Sequence, residues 1–201
     1  MLTKNRKIGL YDSFNEKDSC GIGLVANIYN IPSRDIIEYG LKLLCNLTHR
    51  GAVSADPKAG DGVGILTQIP HQFFQKELAK KEIILPSPDG YALGMFFLPR
   101  TMDEKKYAVE IIKKNLEKFG LDILTIRDVP TNEDVLGHSI KGNEPSIKQF
   151  IIIPKNRIKT KEFEIKLFLA RRSIEIQLKS FDFSVVSLST RIVTYKGMIM
   201  S

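Results

Sequence analysis

Residues 20–29 read CGIGLVANIY. Small and apolar residues alternate there with β-formers, so the stretch predicts a buried strand over 21–29. It follows a polar, irregular leader, MLTKNRKIGLYDSFNEKDS, over residues 1–19. That leader has no apolar core of the kind a secretory signal needs. On the other side, Ser33 is placed to cap a helix whose apolar positions Ile36, Ile37, Leu41 and Leu44 follow a 3.6-residue period. The helix is expected to end before His49-Arg50-Gly51, ahead of the Gly- and Pro-containing loop ADPKAGDG and a strand, GVGILTQI.

Further along, Pro70 opens a short helix over 70–81, and YALGMFFL at 91–98 reads as a strand. An amphipathic helix from Asp103 to Phe119 carries Tyr107, Ala108, Ile111, Ile112 and Leu116 on its apolar face. LDILTIRD and IKQFIII read as strands, with Thr131-Asn132-Glu133 as a turn or cap between them. A helix from Thr160 to Lys179 keeps Phe163, Leu167, Ala170, Ile174 and Leu178 in register, and FSVVSLS and RIVTYKG close the chain as strands. Strands and helices in this order predict a layered α+β domain.

The 201 residues include 43% hydrophobic residues, enough for a substantial core. No apolar run reaches the roughly 18 residues that a membrane span takes. Lys and Arg total 30 against 23 Asp and Glu, a net charge of +7. The KK pairs at 80–81, 105–106 and 113–114 suit either an anionic partner or solvated helix faces. There is no Trp and no basic stretch interleaved with stacking aromatics, which favours solvated faces over nucleic acid. Two cysteines make no disulfide framework and no four-Cys metal site.

Three places could carry chemistry. Cys20 precedes Gly21 and Gly23, whose bare backbone admits a substrate, so it suits a nucleophile as well as a packed core thiol. Cys45 falls at helical spacing beside Leu41 and Leu44 and is expected in the core. His49, Arg50 and Gly51 could grip a carboxylate, or could simply compensate a helix dipole ahead of a Gly C-cap. Gly60-Asp61-Gly62-Val63-Gly64 precedes a strand and lacks a following Lys-Ser/Thr, which excludes a phosphate loop and leaves Asp61 as a site residue or a tight turn. His71 and His138 have no partner at metal-ligand spacing.

Taken together, these segments resemble one family. YDSFNEKDS directly before CGIGLVANI, then LTHRGAVSADPKAGDGVGILTQIP with HQFF, then YALGMFFLP, RDVPTN, LFLARR and SLSTRIVTYKGM, is similar to the start of the glutamate synthase large chain. That part of the family is its class II, N-terminal nucleophile glutamine amidotransferase domain. The similarity runs through nearly the whole chain in order. HRG-x-x-S-A is shared among class II amidotransferases more widely, whereas AxxADxxxGDGxGxLxQxP is the specific part.

The resemblance implies an αββα sandwich, with 1–19 a leader and 20–201 the N-terminal part of the domain, incomplete on the C-terminal side. It implies that Cys20 is the catalytic nucleophile, freed as residue one when the leader is removed. Arg50 and Gly51 carry over as substrate-binding positions, and His49 and Asp61 as residues that shape the site. L-glutamine is the implied substrate, and the rest of glutamate synthase, in the same or a second chain, the implied partner. The family's oxyanion hole and carboxylate clamp lie in HNGE- and HSRFSTNT-like motifs, neither of which occurs in these residues, so little activity is expected from them alone. Flavin mononucleotide and an iron–sulfur cluster are expected in the full-length enzyme and none in this stretch. A bacterial cytoplasm and a plastid stroma both fit, with no membrane or nucleic-acid partner. The alternative is a non-catalytic remnant or interaction module that keeps the sandwich core.

Overall fold

The computed structural model describes residues 21–47, 55, 56, 58–60 and 62–198. Two compact units are present, Met1–Ala52 and Val53–Ser201.

In the first unit, helix α1 spans Arg34–Asn46 as the apolar period predicts. The strand expected over 21–29 does not form. Residues 21–27 are irregular, and Ile22, Leu24 and Ile28 are exposed. A physical reason is visible: Asn27 diverts the chain into a turn. Its side-chain oxygen accepts from Tyr29 N at 2.8 Å, its carbonyl accepts from Asn30 N at 3.0 Å, and Asn30 adopts φ 54°. Cys45 is also corrected: it is exposed, not core. The half-buried side of α1 runs through Ile36, Ile37, Gly40, Leu43 and Leu44, and Cys45 lies on the opposite side.

The second unit is built on strand β2, Ala92–Leu98. With β3 (Leu121–Asp128), β4 (Ser146–Pro154) and β5 (Ser184–Ser189) it forms a sheet of order β3-β4-β2-β5, antiparallel throughout. Strand β1, Gly62–Gln68, pairs antiparallel with β6, Ile192–Met198, from Gly62 opposite Met198 to Gln68 opposite Ile192.

β2 and β4 read as nearly continuous apolar runs because both faces of the sheet are covered. On one face Ala92, Phe96, Leu98, Phe150 and Ile152 meet helices α3 (Met102–Lys118) and α4 (Thr160–Gln177). On the other, Leu93, Met95 and Ile151 meet Phe74 and Leu78 of α2 (His71–Ala79) and Val193 of β6. Two register shifts fit this packing. Leu124 and Val186 are each an extra residue in their ladder, so Val185 and Leu188 both reach the α3–α4 cluster although they are three apart.

The helices follow their sequence signals closely. Thr101 caps α3 by accepting from Glu104 N at 3.4 Å. Ala108, Ile111, Ile112 and Leu116 are buried as expected, whereas Tyr107 stays half out with its ring 5.4 Å from Phe181. Asn115 is buried at the helix interface, where Ser173 and Gln177 of α4 donate to its side-chain oxygen at 2.6 and 3.0 Å. A short 3₁₀ turn at Glu133–Val135 is capped by Asn132, which accepts from Asp134 N at 3.0 Å.

Candidate active site

Cys20, His49, Arg50, Gly51 and Asp61 all lie outside the described residues. The structure instead gives the supports on either side of them. In the first unit, Leu47 closes α1 with its N–H bonding the carbonyls of Leu43 and Leu44 at 3.1 and 3.0 Å. Gly21 and Gly23 lie against that end of the helix. A Cβ on Gly21 would stand 3.1 Å from Leu47 Cδ2, and one on Gly23 only 2.1 Å from Leu43 Cδ1. The residue after Cys20 therefore packs on the residue two before His49. Any side chain at position 23 would have to displace the Leu43 side chain, which closes over the bare backbone there.

In the second unit, Asp56 anchors the loop that leads to Asp61 and β1. Its carboxylate accepts from Ser139 N and Ser139 Oγ at 3.1 and 2.9 Å and from Lys58 N at 3.0 Å. Those donors, the Ser139 backbone first, hold its carboxyl below the ordinary value of 3.8. A Cβ at Gly137 would stand 2.3 Å from Asp56 Oδ2, so a side chain there would push the carboxylate off its Ser139 donors.

The β1–β6 ribbon is tied to the larger sheet by polar groups. Gln149, fully buried in β4, donates to Tyr195 Oη of β6 at 3.1 Å and accepts from Arg127 Nη1 of β3 at 2.8 Å. Arg127 in turn lies 3.6 Å from Glu77 and over the Phe73 ring at 5.4 Å. At the turn between β5 and β6, Glu164 Oε1 of α4 accepts from Ser189 Oγ, Thr190 N and Thr190 Oγ1 at 3.0, 2.6 and 2.5 Å. Ser187 Oγ accepts from Thr194 N at 3.1 Å.

Asp56, Arg127 and Tyr195 fall within the motifs quoted above, but none of these positioning residues was given a role from sequence. The available signals were a D-x-K turn at Asp56 and a lone glutamine inside the apolar run KQFIIIP. No group of three or more His, Cys, Asp or Glu that could hold a metal occurs among the described residues. His71 Nδ1 lies 3.2 Å from Tyr91 Oη, and burial pushes the Tyr91 hydroxyl up to about 12. An open groove of about 400 Å³ is lined by Arg100, Lys105, Asp128, Thr131, Glu133 and Glu144.

The sequence model of the family "Glutamine amidotransferases class-II" matches residues 20–201. The chain belongs to that family. Among curated proteins this amidotransferase is similar to the glutamate synthase [NADPH] large chain of Bacillus subtilis, 38% identical over 194 residues, which is 95% of this chain and 13% of the relative. Ferredoxin-dependent glutamate synthase 2 of Synechocystis is 35% identical over 186 residues, 92% of this chain and 12% of the relative. Glutamate synthase [NADH] of Saccharomyces cerevisiae is 37% identical over 205 residues, 96% of this chain and 10% of the relative. The chain thus spans only 10–13% of the length of these relatives. Identity varies little among forms named for three different electron donors, so this stretch does not distinguish them.

Proposed function

We propose that the chain is the glutamine-hydrolysing part of a glutamate synthase, with Cys20 as its nucleophile. The carrying observation is that the family match opens on residue 20, the cysteine itself. The contact of Gly21 with Leu47 supports the placing of His49, Arg50 and Gly51 beside it. Removal of residues 1–19 frees the Cys20 α-amine, which titrates near pH 8 when unperturbed and can take the thiol proton through solvent. The thiolate attacks the side-chain amide carbon of glutamine. The C–N bond breaks, the proton leaves on ammonia, and water then releases glutamate from the thioester. With the leader attached the amine is an amide and no base, so processing is an on-switch. Arg50 and Gly51 bind substrate, and His49 and Asp61 shape the site.

The αββα sandwich belongs to this reading. Helices α3 and α4, the four-stranded sheet, and the β1–β6 ribbon with α2 supply its support, as successive layers of the second unit. In a complete enzyme the ammonia would feed glutamate formation from 2-oxoglutarate, with flavin mononucleotide and an iron–sulfur cluster supplying the reduction. These 201 residues do not fit either group. Two cysteines fall short of the four thiolates that a cluster takes, and the glycine-rich stretch at 60–64 leads into β1, where a flavin phosphate site takes a strand-to-helix turn. No step above runs through them. The oxyanion and carboxylate-binding motifs of the family do not occur within these residues. Loss of oxyanion donors costs about 10²–10³ in rate, so glutamine turnover by these residues alone is slow.

The test is intact mass and N-terminal sequencing, followed by reaction with an electrophilic glutamine analogue. A chain beginning at Cys20 that gains one adduct, lost in Cys20→Ala, is the expected result. Glutaminase activity from a chain that still begins at Met1 would refute the α-amine mechanism.

A further inference from the structure

The hydrogen bonds that join β3, β4 and β6 run in a direction that their chemistry forces. A guanidinium only donates, so the Gln149 atom that meets Arg127 Nη1 at 2.8 Å is the carbonyl oxygen Oε1. That leaves the Gln149 amide nitrogen for Tyr195, and it donates to Tyr195 Oη at 3.1 Å. Gln149 is fully buried. Turning its amide over would set NH2 against the guanidinium and leave buried donors without an acceptor. An amide NH2 does not accept, so the Tyr195 hydroxyl proton has no place on the bond to Gln149. No described residue accepts it either. The series therefore begins on a cation, Arg127, and ends on a hydroxyl that offers its proton outward. Successive bonds polarise one another, so the charge on Arg127 makes that hydroxyl a stronger donor.

The layer that holds this hydroxyl opens at one end. Val193, Tyr195 and Gly197 share the face of β6 that turns toward the larger sheet. Along it Val193 is fully buried, Tyr195 half-buried and Gly197 exposed. A Cβ on Gly197 would meet no described atom within 4 Å. Gly197 lies opposite Val63, so the opening is at the end of the ribbon where β1 begins, directly after Asp61 in the sequence.

We propose that Tyr195 is a substrate-binding residue whose hydroxyl donates to the α-carboxylate of glutamine. The inference rests on the reading that the chain hydrolyses glutamine, and adds a contact which that reading does not contain. A donor strengthened by a cation favours an anionic acceptor, and the α-carboxylate is the one group of glutamine that is negative before any bond is made or broken. That carboxylate lies several bonds from the side-chain amide under attack. A hydrogen bond to it is equally strong before and during the reaction, so it contributes to binding and not to the chemical step. Arg127 and Gln149 are positioning residues here: they fix the direction in which the hydroxyl donates.

The experiment follows adduct formation on the full chain, processed to Cys20, over a range of concentrations of an electrophilic glutamine analogue that keeps the α-amino and α-carboxylate groups. The concentration dependence separates binding from the rate at saturation. Tyr195→Phe removes the hydroxyl alone and is expected to weaken binding about tenfold, with the loss in binding and not in the saturated rate. With the carboxylate of the analogue converted to a carboxamide, the difference between parent and Tyr195→Phe is expected to shrink. Gln149→Glu still accepts from Arg127 but can only accept from Tyr195, which turns the hydroxyl proton inward. It is expected to weaken binding as Tyr195→Phe does, although the tie between the strands remains. Equal binding by parent and Tyr195→Phe, a loss confined to the saturated rate, or a loss equally large for the carboxamide overturns the proposal. A second readout does not need the cysteine. In Cys20→Ala, the ¹³Cζ resonance of Tyr195 is expected to shift saturably as L-glutamine is added. A fixed Tyr195 resonance overturns the proposal. A shift at Tyr195 in a chain that takes no adduct at Cys20 refutes the cysteine mechanism and leaves this contact standing, whereas an adduct whose binding ignores Tyr195 does the reverse.

Discussion

Glu164→Ala removes the acceptor that organises the turn between β5 and β6. One carboxylate oxygen takes three donors there, from Ser189 Oγ, Thr190 N and Thr190 Oγ1, and Thr190 is only 7% exposed. Hydrogen bonds to a charged group contribute about 1.5–3 kcal/mol each where buried, and an orphaned buried donor costs about 1–3 kcal/mol. The three share one acceptor at a partly solvated site, so their energies do not add in full. The expected loss is about 2–4 kcal/mol. For a domain of this size that lowers Tm by roughly 5–15 °C. Glu164→Gln keeps a neutral acceptor and is expected to lose about half as much, about 1–2 kcal/mol. Urea denaturation measures the energies. Hydrogen exchange locates them, because the turn launches β6, which pairs with β1 from Gly62 to Gln68. Amides of β1 and β6 should lose more protection than those of β4. A Glu164→Ala protein within 0.5 kcal/mol of the parent, or one with uniform loss of protection, refutes the reasoning.

Phe96 is fully buried, with its ring 4.7 Å from Phe150, so Phe96→Ala is expected to cost about 3–5 kcal/mol in urea denaturation. Asp56 titrates below its ordinary value, so its link to Ser139 is complete above that value and is lost as pH falls through the lowered one. The Ser139 amide resonance should follow that titration with a midpoint under 3.8, and a midpoint at or above 3.8 refutes the clamp. Tyr91 is raised to about 12 by burial, so the stability tied to its neutral form is intact below the unfolded value near 10 and declines as pH rises toward 12. Ultraviolet difference titration should show one tyrosine ionising only near the top of that range. The adduct at Cys20 described above completes the set.

Local periodicity carried most of the second unit. The apolar stripe of 160–179 set the inner face of α4, and Thr101 marked the start of α3, because helix and cap signals act between residues a few positions apart. The same reasoning failed at 21–29. Alternation says that a segment could pair, but the Asn27 side chain and the left-handed Asn30 turn the chain aside before an extended run is complete. Cys45 was misplaced for a related reason: nearness to Leu41 and Leu44 in sequence does not say which side of α1 is covered.

The sequence by itself determined the family, since the motif order from Cys20 to the YKGM stretch is a property of the chain alone, and it determined the helices and all six described strands, while adding one at 21–29 that does not form. Tertiary structure alone decided which polar residues hold the frame. Asp56 meets Ser139 across 83 positions, Arg127 and Gln149 meet across 22, and Gln149 meets Tyr195 across 46. Such partners share no local period. Gln149 is fully buried, so the cost of leaving it unpaired selects Arg127 and Tyr195, and that burial exists only once the layers have packed. The exposed Asp56–Ser139 link needs the fold only to bring two loops together.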